Sequence, residues 1–195
     1  MATRNPHKTR ELQQILGSEF TVRDLRAHSE ISEIAETGTS FEENAKLKAL
    51  AVSRRLPGLV IADDSGLEVD ALGGAPGIYS ARYAGTNATN EGRIDKLLEE
   101  LGRVDPTKEQ RAARFRCVLA LARNSEVLGI FEGIVEGQIV DRPRGSHGFG
   151  YDPIFVPNGF QQTFGQLGPA EKNRLSHRAR ALEKLRAFLN SRASQ

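Results

Sequence analysis

Cysteine is almost missing from this chain: Cys117 is the one thiol among 195 residues. No internal disulfide can form, and a reducing cytoplasm is the expected setting. Long apolar runs are missing as well. No segment approaches the roughly 18 apolar residues that a membrane-spanning helix requires, and residues 1–12 are polar, without the apolar centre of a secretion signal. A surplus of charge is also lacking. With 27 basic and 25 acidic side chains the formal charge is +2, too little to argue for a nucleic-acid partner, so any anion site must be local. Repeats, low-complexity tracts and heptads are not found. What is there, 38% hydrophobic and 27% charged residues, is the balance of a globular protein. A length of 195 residues with no linker-like stretch suits a single domain, 1–195, with room for two lobes.

Apolar residues at Leu12, Ile15 and Leu16 predict a helix over 6–16, capped by Asn5 and with Pro6 in the first helical position. Ser40 and Glu43 have capping-box spacing. They predict a helix over 41–56 with Leu47, Leu50 and Ala51 on one side, ended by Pro57 and Gly58. Residues 59–62 read as a short buried strand stopping at Asp63 and Asp64, which leaves two carboxylates at a strand's carboxyl end. The glycine-rich stretch 72–77 reads as a loop, and 89–101 as a helix stopped by Gly102. Strands over 115–122 and 127–135 are expected to pair antiparallel, with Ile139 and Val140 starting another. Arg111, Arg114 and Arg116 are expected along a solvated strand edge. Leu175, Ala179, Leu182, Leu185 and Leu189 mark a closing helix. Helices flanking a mixed sheet place the chain in the α/β class.

Four places carry candidate chemistry. From Thr3 to Lys8 a strand runs into a helix N-terminus, whose unpaired N–H groups and partial positive charge suit a phosphate. Lys8 in that first turn is unfavourable by up to roughly 1 kcal/mol unless an anion is bound; the plain alternative is a lysine pointing into solvent. Asp63, Asp64 and Ser65 follow a buried strand, where adjacent carboxylates repel and gain from a divalent cation. Glu36 could add a second ligand from a loop, and the alternative is a turn with Asx-type hydrogen bonds. The run 145–153 is glycine-rich, with Phe149 and Tyr151 as faces for a planar base and Asp152 as an acceptor; alternatively its aromatics return to the core. Lys172 and the Ser176-His177-Arg178 run form the fourth, with Ser176 as a helix cap and Arg178 suited to forked hydrogen bonds, against a surface basic turn.

Taken together and in order, Thr3-Arg4-Asn5-Pro6-His7-Lys8, Phe41-Glu42-Glu43-Asn44-Ala45, Ala62-Asp63-Asp64-Ser65-Gly66-Leu67, Leu72-Gly73-Gly74-Ala75-Pro76-Gly77, Phe149-Gly150-Tyr151-Asp152-Pro153 and Ser176-His177-Arg178 resemble the inosine/xanthosine triphosphate pyrophosphatase family over nearly the whole chain. The resemblance implies hydrolysis of inosine, deoxyinosine and xanthosine triphosphates between the α and β phosphates, giving a nucleoside monophosphate and pyrophosphate and clearing the nucleotide pool. It implies magnesium (Mg) as cofactor, Asp64 as proton acceptor for the attacking water, and Glu36 and Asp64 as metal ligands. Thr3, Arg4, Asn5, Pro6, His7, Lys8 and Ser65 would hold the phosphates. Phe149, Gly150, Tyr151, Asp152, Lys172, His177 and Arg178 would form the nucleotide pocket. The implied architecture is a two-lobed α/β protein with a cleft between the lobes, paired as a cytoplasmic homodimer, with no stable nucleic-acid partner and no membrane.

A donor such as Arg178 facing the six-position oxygen of hypoxanthine would oppose the amino group of adenine. A buried polar group left unpaired costs about 1–3 kcal/mol, or roughly 5- to 150-fold per contact. Guanine carries the same oxygen, so its rejection rests on its two-amino group or on pocket shape. Only Met1 and Ala2 precede Thr3, where related chains enter the motif through a longer strand, so the native start is expected upstream or the first strand is short. His147 stands where a small residue is usual and reads as a pocket-rim variant, without a partner histidine for a metal. A nucleotide-binding regulator and an RNA-binding module are the rival functions; the acidic pair favours the enzyme.

Overall fold

Asn5 starts the first helix as expected: its side chain accepts from the backbone N–H of His7 (2.9 Å) and of Lys8, and Pro6 occupies the first turn. In the computed structural model, which describes residues 1–105 and 110–193, the resulting helix α1 is Pro6–Leu16 and buries Leu12 and Leu16. Before it, residues 1–5 form no regular strand; Ala2 donates to the carbonyl of Ile61 at 2.8 Å.

Helix α2, Phe41–Ser53, is capped by Ser40, which accepts from Glu43 N–H. Glu43 turns back one residue farther than a capping box requires, taking the N–H and hydroxyl of Thr39 at 2.7 and 3.0 Å. The buried face of α2 differs from the expected one. Phe41, Ala45, Ala49 and Val52 are buried together with Asn44 and Lys48, whereas Leu47 is 40% exposed. Two alanines and the polar Asn44, Lys48 and Ser53 on the inner face hide it from a hydrophobicity pattern. The helix also ends at Ser53, ahead of Pro57.

Strand β1, Val60–Val69, runs straight through the acidic pair instead of stopping there. Asp63 and Asp64 are therefore mid-strand residues, and strand alternation sends their side chains to opposite faces. Helix α3 spans Asn90–Val104; Thr89 is its cap, and Gly102 lies inside it. Strands β2, Ala112–Arg123, and β3, Glu126–Ile139, are joined by Asn124 and Ser125, both at positive φ (51° and 69°), as a two-residue hairpin turn requires. Strand β4, Phe155–Pro157, returns antiparallel on β3 with Gly137 opposite Pro157. The four strands form one sheet in the order β1-β2-β3-β4. The closing helical region is divided: α4 is Pro169–Leu175, α5 is His177–Ala193, and Ser176 stands between them in extended conformation. The flanked sheet makes the chain α/β.

The chain divides into two compact units. The first holds Met1–Asp64, Cys117–Gly133 and the described residues from His177 on. Its core joins Leu12 and Leu16 to Leu119, Leu121, Phe131, Leu182 and Leu185, with α1 packed on α5. A Cβ on Gly133 would lie 2.0 Å from the carbonyl oxygen of His177, so glycine there lets β3 pass close to the start of α5. The second unit holds Ser65–Arg116 and Ile134–Ser176. Its core centres on Phe115, Phe155 and Phe164, with ring centroids 4.7 to 6.0 Å apart, together with Leu67, Leu97, Leu101 and Tyr151. Arg114 and Arg116 do lie along a strand, paired with Glu68, Asp70 and Glu136, but Arg111 is buried against Asp105. Among the described residues no helix is long and apolar enough to cross a membrane.

Candidate active site

The first unit gathers seven charged side chains around β1. On one side of the strand Asp63 is fully enclosed: its Oδ2 accepts from Arg178 Nε at 2.7 Å and from the Cys117 thiol at 3.5 Å, and its Oδ1 accepts from Lys8 Nζ. Arg178, itself 1% exposed, also donates from Nη1 to Glu11. Burial alone would push the Asp63 carboxyl upward, but the charges of Arg178 and Lys8 outweigh it and hold the group well below the usual carboxylate range. Arg178 is driven further up despite its burial, by Asp63 and Glu11. Burial and the Asp63 charge keep the Cys117 thiol protonated.

On the other side, Lys48 from α2 donates to Asp64 Oδ1 at 2.8 Å, Glu36 Oε1 at 2.7 Å and the carbonyl oxygen of Asp63 at 2.9 Å. The second Asp64 oxygen, Oδ2, is buried and has no hydrogen-bond partner among the described residues. Desolvation raises the Asp64 pKa above the ordinary carboxylate value, and Glu36 adds to it, against the opposing pull of Lys48. Lys48 remains charged, because Asp64 and Glu36 outweigh its burial.

Glu36 is positioned by its loop. Gly38 N–H donates to Asn44 Oδ1 at 2.8 Å, and Thr39 is clipped to Glu43, so the segment 36–39 is fastened to the first turn of α2. Side-chain space forbids anything but glycine at 38 without movement, since a Cβ would meet Glu43 Cβ at 2.6 Å.

Lys8 brings its side chain onto the acidic pair. Thr3 Oγ1 accepts from Asn5 N–H, Asn5 caps α1, Pro6 fills its first turn, and Arg4 donates to the carbonyls of His28 (3.2 Å) and Ile31. His7 is exposed. Ser65 follows Asp64 in β1 and falls on the Asp63 face by alternation.

The second unit holds the candidate base loop. Asp152 Oδ2 accepts from Lys172 Nζ and from Phe149 N–H, both at 2.7 Å, and Lys172 Nζ lies 5.0 Å from the centre of the half-buried Phe149 ring. Gly148 is at φ +77°, and a Cβ there would fall 2.0 Å from Asp152 Oδ2. Gly150, also at positive φ, turns the chain between Phe149 and Tyr151. Tyr151 departs from expectation. It is 4% exposed within the core, and its hydroxyl donates to the carbonyl of Ser80 at 3.0 Å, so its ring is a packing element. His147 is exposed, and its backbone N–H donates to Gly165. His177 is buried at the start of α5, in the first unit with Arg178.

Two participants were missed by sequence reading, Lys48 and Glu11. For Lys48 a signal existed: it lies seven residues after Phe41 and four after Asn44, on the face shared by Ala45 and Ala49, where a lysine has no reason to be unless it is paired.

The residues present fit a hard divalent cation. Glu36 Oε1, Asp64 Oδ1 and the Asp63 carbonyl converge on one positive group, and Asp64 Oδ2 is an orphaned acceptor. Among the described residues no three His, Cys, Asp or Glu side chains are grouped to hold a metal ion alone. Two carboxylates with water and substrate phosphates are a usual shell for Mg²⁺, so the small count is compatible with it.

The sequence pattern of the Ham1 family matches residues 1–188. The chain is 48% identical over 192 residues to the dITP/XTP pyrophosphatase of Bacillus subtilis, covering 98% of this chain and 96% of that one. Among solved structures it is similar to a HAM1 protein from Coxiella burnetii (TM-score 0.86, 42% identity, 97% and 96% of the two chains) and to the Staphylococcus aureus Ham1 protein (TM-score 0.85, 42% identity, 98% and 97%).

Proposed function

Because the chain belongs to the Ham1 family, we propose that it hydrolyses inosine, deoxyinosine and xanthosine triphosphates to the monophosphate and pyrophosphate, clearing non-standard purines from the nucleotide pool. One observation carries the chemistry: a buried carboxylate, Asp64, with one oxygen engaged and the other without a partner among the described residues, whose proton affinity is raised by burial. A base must accept a proton from water near neutral pH, and a carboxyl raised above its ordinary value is better suited to that than one held low. As water attacks, its proton passes to Asp64 Oδ2, the bridge between the α and β phosphates breaks, and pyrophosphate leaves with the bonding electrons.

Glu36 and Asp64 would hold Mg²⁺, which when bound supplies charge neutralisation for the polyphosphate. Lys8 and Lys48 add fixed positive charge beside the acidic pair, the N-terminal end of α1 adds its partial positive charge, and Ser65, next to Asp64 in sequence, adds a hydroxyl for phosphate oxygens. Phe149 offers a stacking face, and the Lys172–Asp152 pair holds its loop. The base-reading role expected of Arg178 competes with its two carboxylate partners, which makes counter-ion to Asp63 its first duty. The same reading proposes a cytoplasmic homodimer, on the family resemblance; sedimentation measures the dimer.

The test is pyrophosphate release from inosine, deoxyinosine, xanthosine, guanosine and adenosine triphosphates, with Mg²⁺ and with chelator. Fast Mg²⁺-dependent release from the first three and little from the last two is expected. Equal turnover of all five, or tight binding without release, would overturn the reading.

A further inference from the structure

Lys48 uses its ammonium unusually. It is 8% exposed, and it donates to two carboxylates and a backbone carbonyl, all between 2.7 and 2.9 Å. An ammonium has three N–H donors, so these contacts saturate it. The same three oxygens, two anionic and one neutral, are the kind of donor set that a hard divalent cation takes. Lys8 is different: it sits on the Asp63 side chain, on the far face of β1, and only its 3.5 Å approach to the Asp63 carbonyl touches the Lys48 group.

We propose that Lys48 is an exchangeable placeholder: in the metal-free protein its ammonium occupies the cation position between Glu36 and Asp64, and a divalent ion enters by displacing it. The inference rests on the metal reading of the preceding subsection and goes beyond it. Without a cation between them, Glu36 and the buried Asp64 would repel one another. Lys48 holds both converged on one point, so the site is assembled before the ion arrives. When a doubly charged ion replaces a singly charged one, the two carboxylates are neutralised, and the four-carbon stem lets the released ammonium move aside without moving α2. The displacement costs metal affinity, because only the fraction of molecules with Lys48 withdrawn is competent to bind.

The direct test uses the metal-free, nucleotide-free protein and Mg²⁺ alone, read by lysine-selective ¹H–¹⁵N NMR of slowly exchanging ammonium groups. Lys48, Lys8 and Lys172 are the enclosed, ion-paired lysines among the described residues. Their signals are assigned with Lys48→Met, Lys8→Met and Lys172→Met; should Lys48→Met not fold, the other two assign it by elimination. On adding Mg²⁺ the Lys48 signal should disappear into fast exchange while those of Lys8 and Lys172 persist. Persistence of the Lys48 signal while the backbone amides of residues 63–64 shift would overturn the placeholder and leave the metal site standing. No shift at any of these residues would overturn the metal site and the placeholder with it. In parallel, calorimetry should find Mg²⁺ binding to Lys48→Met about tenfold tighter or more than to the wild type; equal or weaker binding counts against displacement.

Discussion

Asp63 and Asp64 are chemically identical neighbours, yet the two sides of β1 treat them in opposite ways. Asp63 is closed in by Arg178, Lys8 and Cys117, and its proton affinity is pushed down; Asp64 has one oxygen on Lys48 and the other without a partner among the described residues, and its proton affinity is pushed up. The difference comes from strand alternation, which gives adjacent residues separate surroundings. One carboxylate is locked into ion pairs of the first unit, and the other is the one assigned above to the chemistry. An oxygen left unsatisfied in a buried site is costly to stability, and such costs are retained where function needs them.

The comparison breaks most sharply in activity. Asp64→Asn should lower turnover of inosine triphosphate by about 10²–10⁴-fold, the usual worth of a positioned base, with a thermal midpoint unchanged or higher; steady-state rates and calorimetry on one preparation check both. Asp63→Asn should act on stability instead. Removing one partner of a buried ion pair costs about 3–5 kcal/mol, and here it takes the shared carboxylate from Lys8 and Arg178 and leaves Arg178 its pair with Glu11, so denaturant midpoints should fall steeply while the residual folded fraction still binds nucleotide.

The same pair sets a pH signature. Asp63 has a folded-state pKa below its unfolded one, so in acid the unfolded chain binds more protons. Its contribution is present above the unfolded carboxyl value of about 3.9 and is lost as pH falls through the depressed folded value. Asp64, raised, has the opposite sign: it favours the fold in acid and withdraws that support as pH rises through its folded value. Acid unfolding of Asp63→Asn should therefore show a flatter limb below about pH 4 than the wild type, whereas Asp64→Asn should differ from the wild type above that pH, where it lacks the loss of stability that the raised Asp64 carboxyl brings as pH rises.

Smaller effects separate site from scaffold. Gly148→Ala places a methyl against Asp152 and forces an unfavourable positive φ. It should raise KM for inosine triphosphate more than it lowers kcat, at a stability loss of about 1–3 kcal/mol. Leu47→Gln, on the exposed side of α2, should change stability by no more than about 0.5 kcal/mol and leave kinetics alone, confirming that the inner face of that helix is the one bearing Lys48.

Much of this was legible in the sequence, and the failures have physical causes. The caps at Asn5 and Ser40 and the β2–β3 hairpin declared themselves because local chemistry decides them. The acidic pair announced a site but not its geometry. Aspartates are poor strand residues, so the strand was expected to stop at Asp63, whereas ion pairs and backbone bonding carry β1 on to Val69. Around Tyr151 the motif shows residue type and not side-chain direction, so it leaves open whether the ring faces a base or returns to the core; Ser80, distant in sequence, supplies the acceptor that turns it inward. Lys48 escaped because burying lysine contradicts hydrophobic patterning, and only the tertiary arrangement of Glu36 and Asp64 makes it favourable.

The most direct measurement is turnover and thermal midpoint on Asp63→Asn and Asp64→Asn side by side, under one buffer with Mg²⁺ and inosine triphosphate. The account predicts that the two effects cross, with Asp64→Asn folded and nearly inactive and Asp63→Asn far less stable. Near-normal turnover by Asp64→Asn would contradict it.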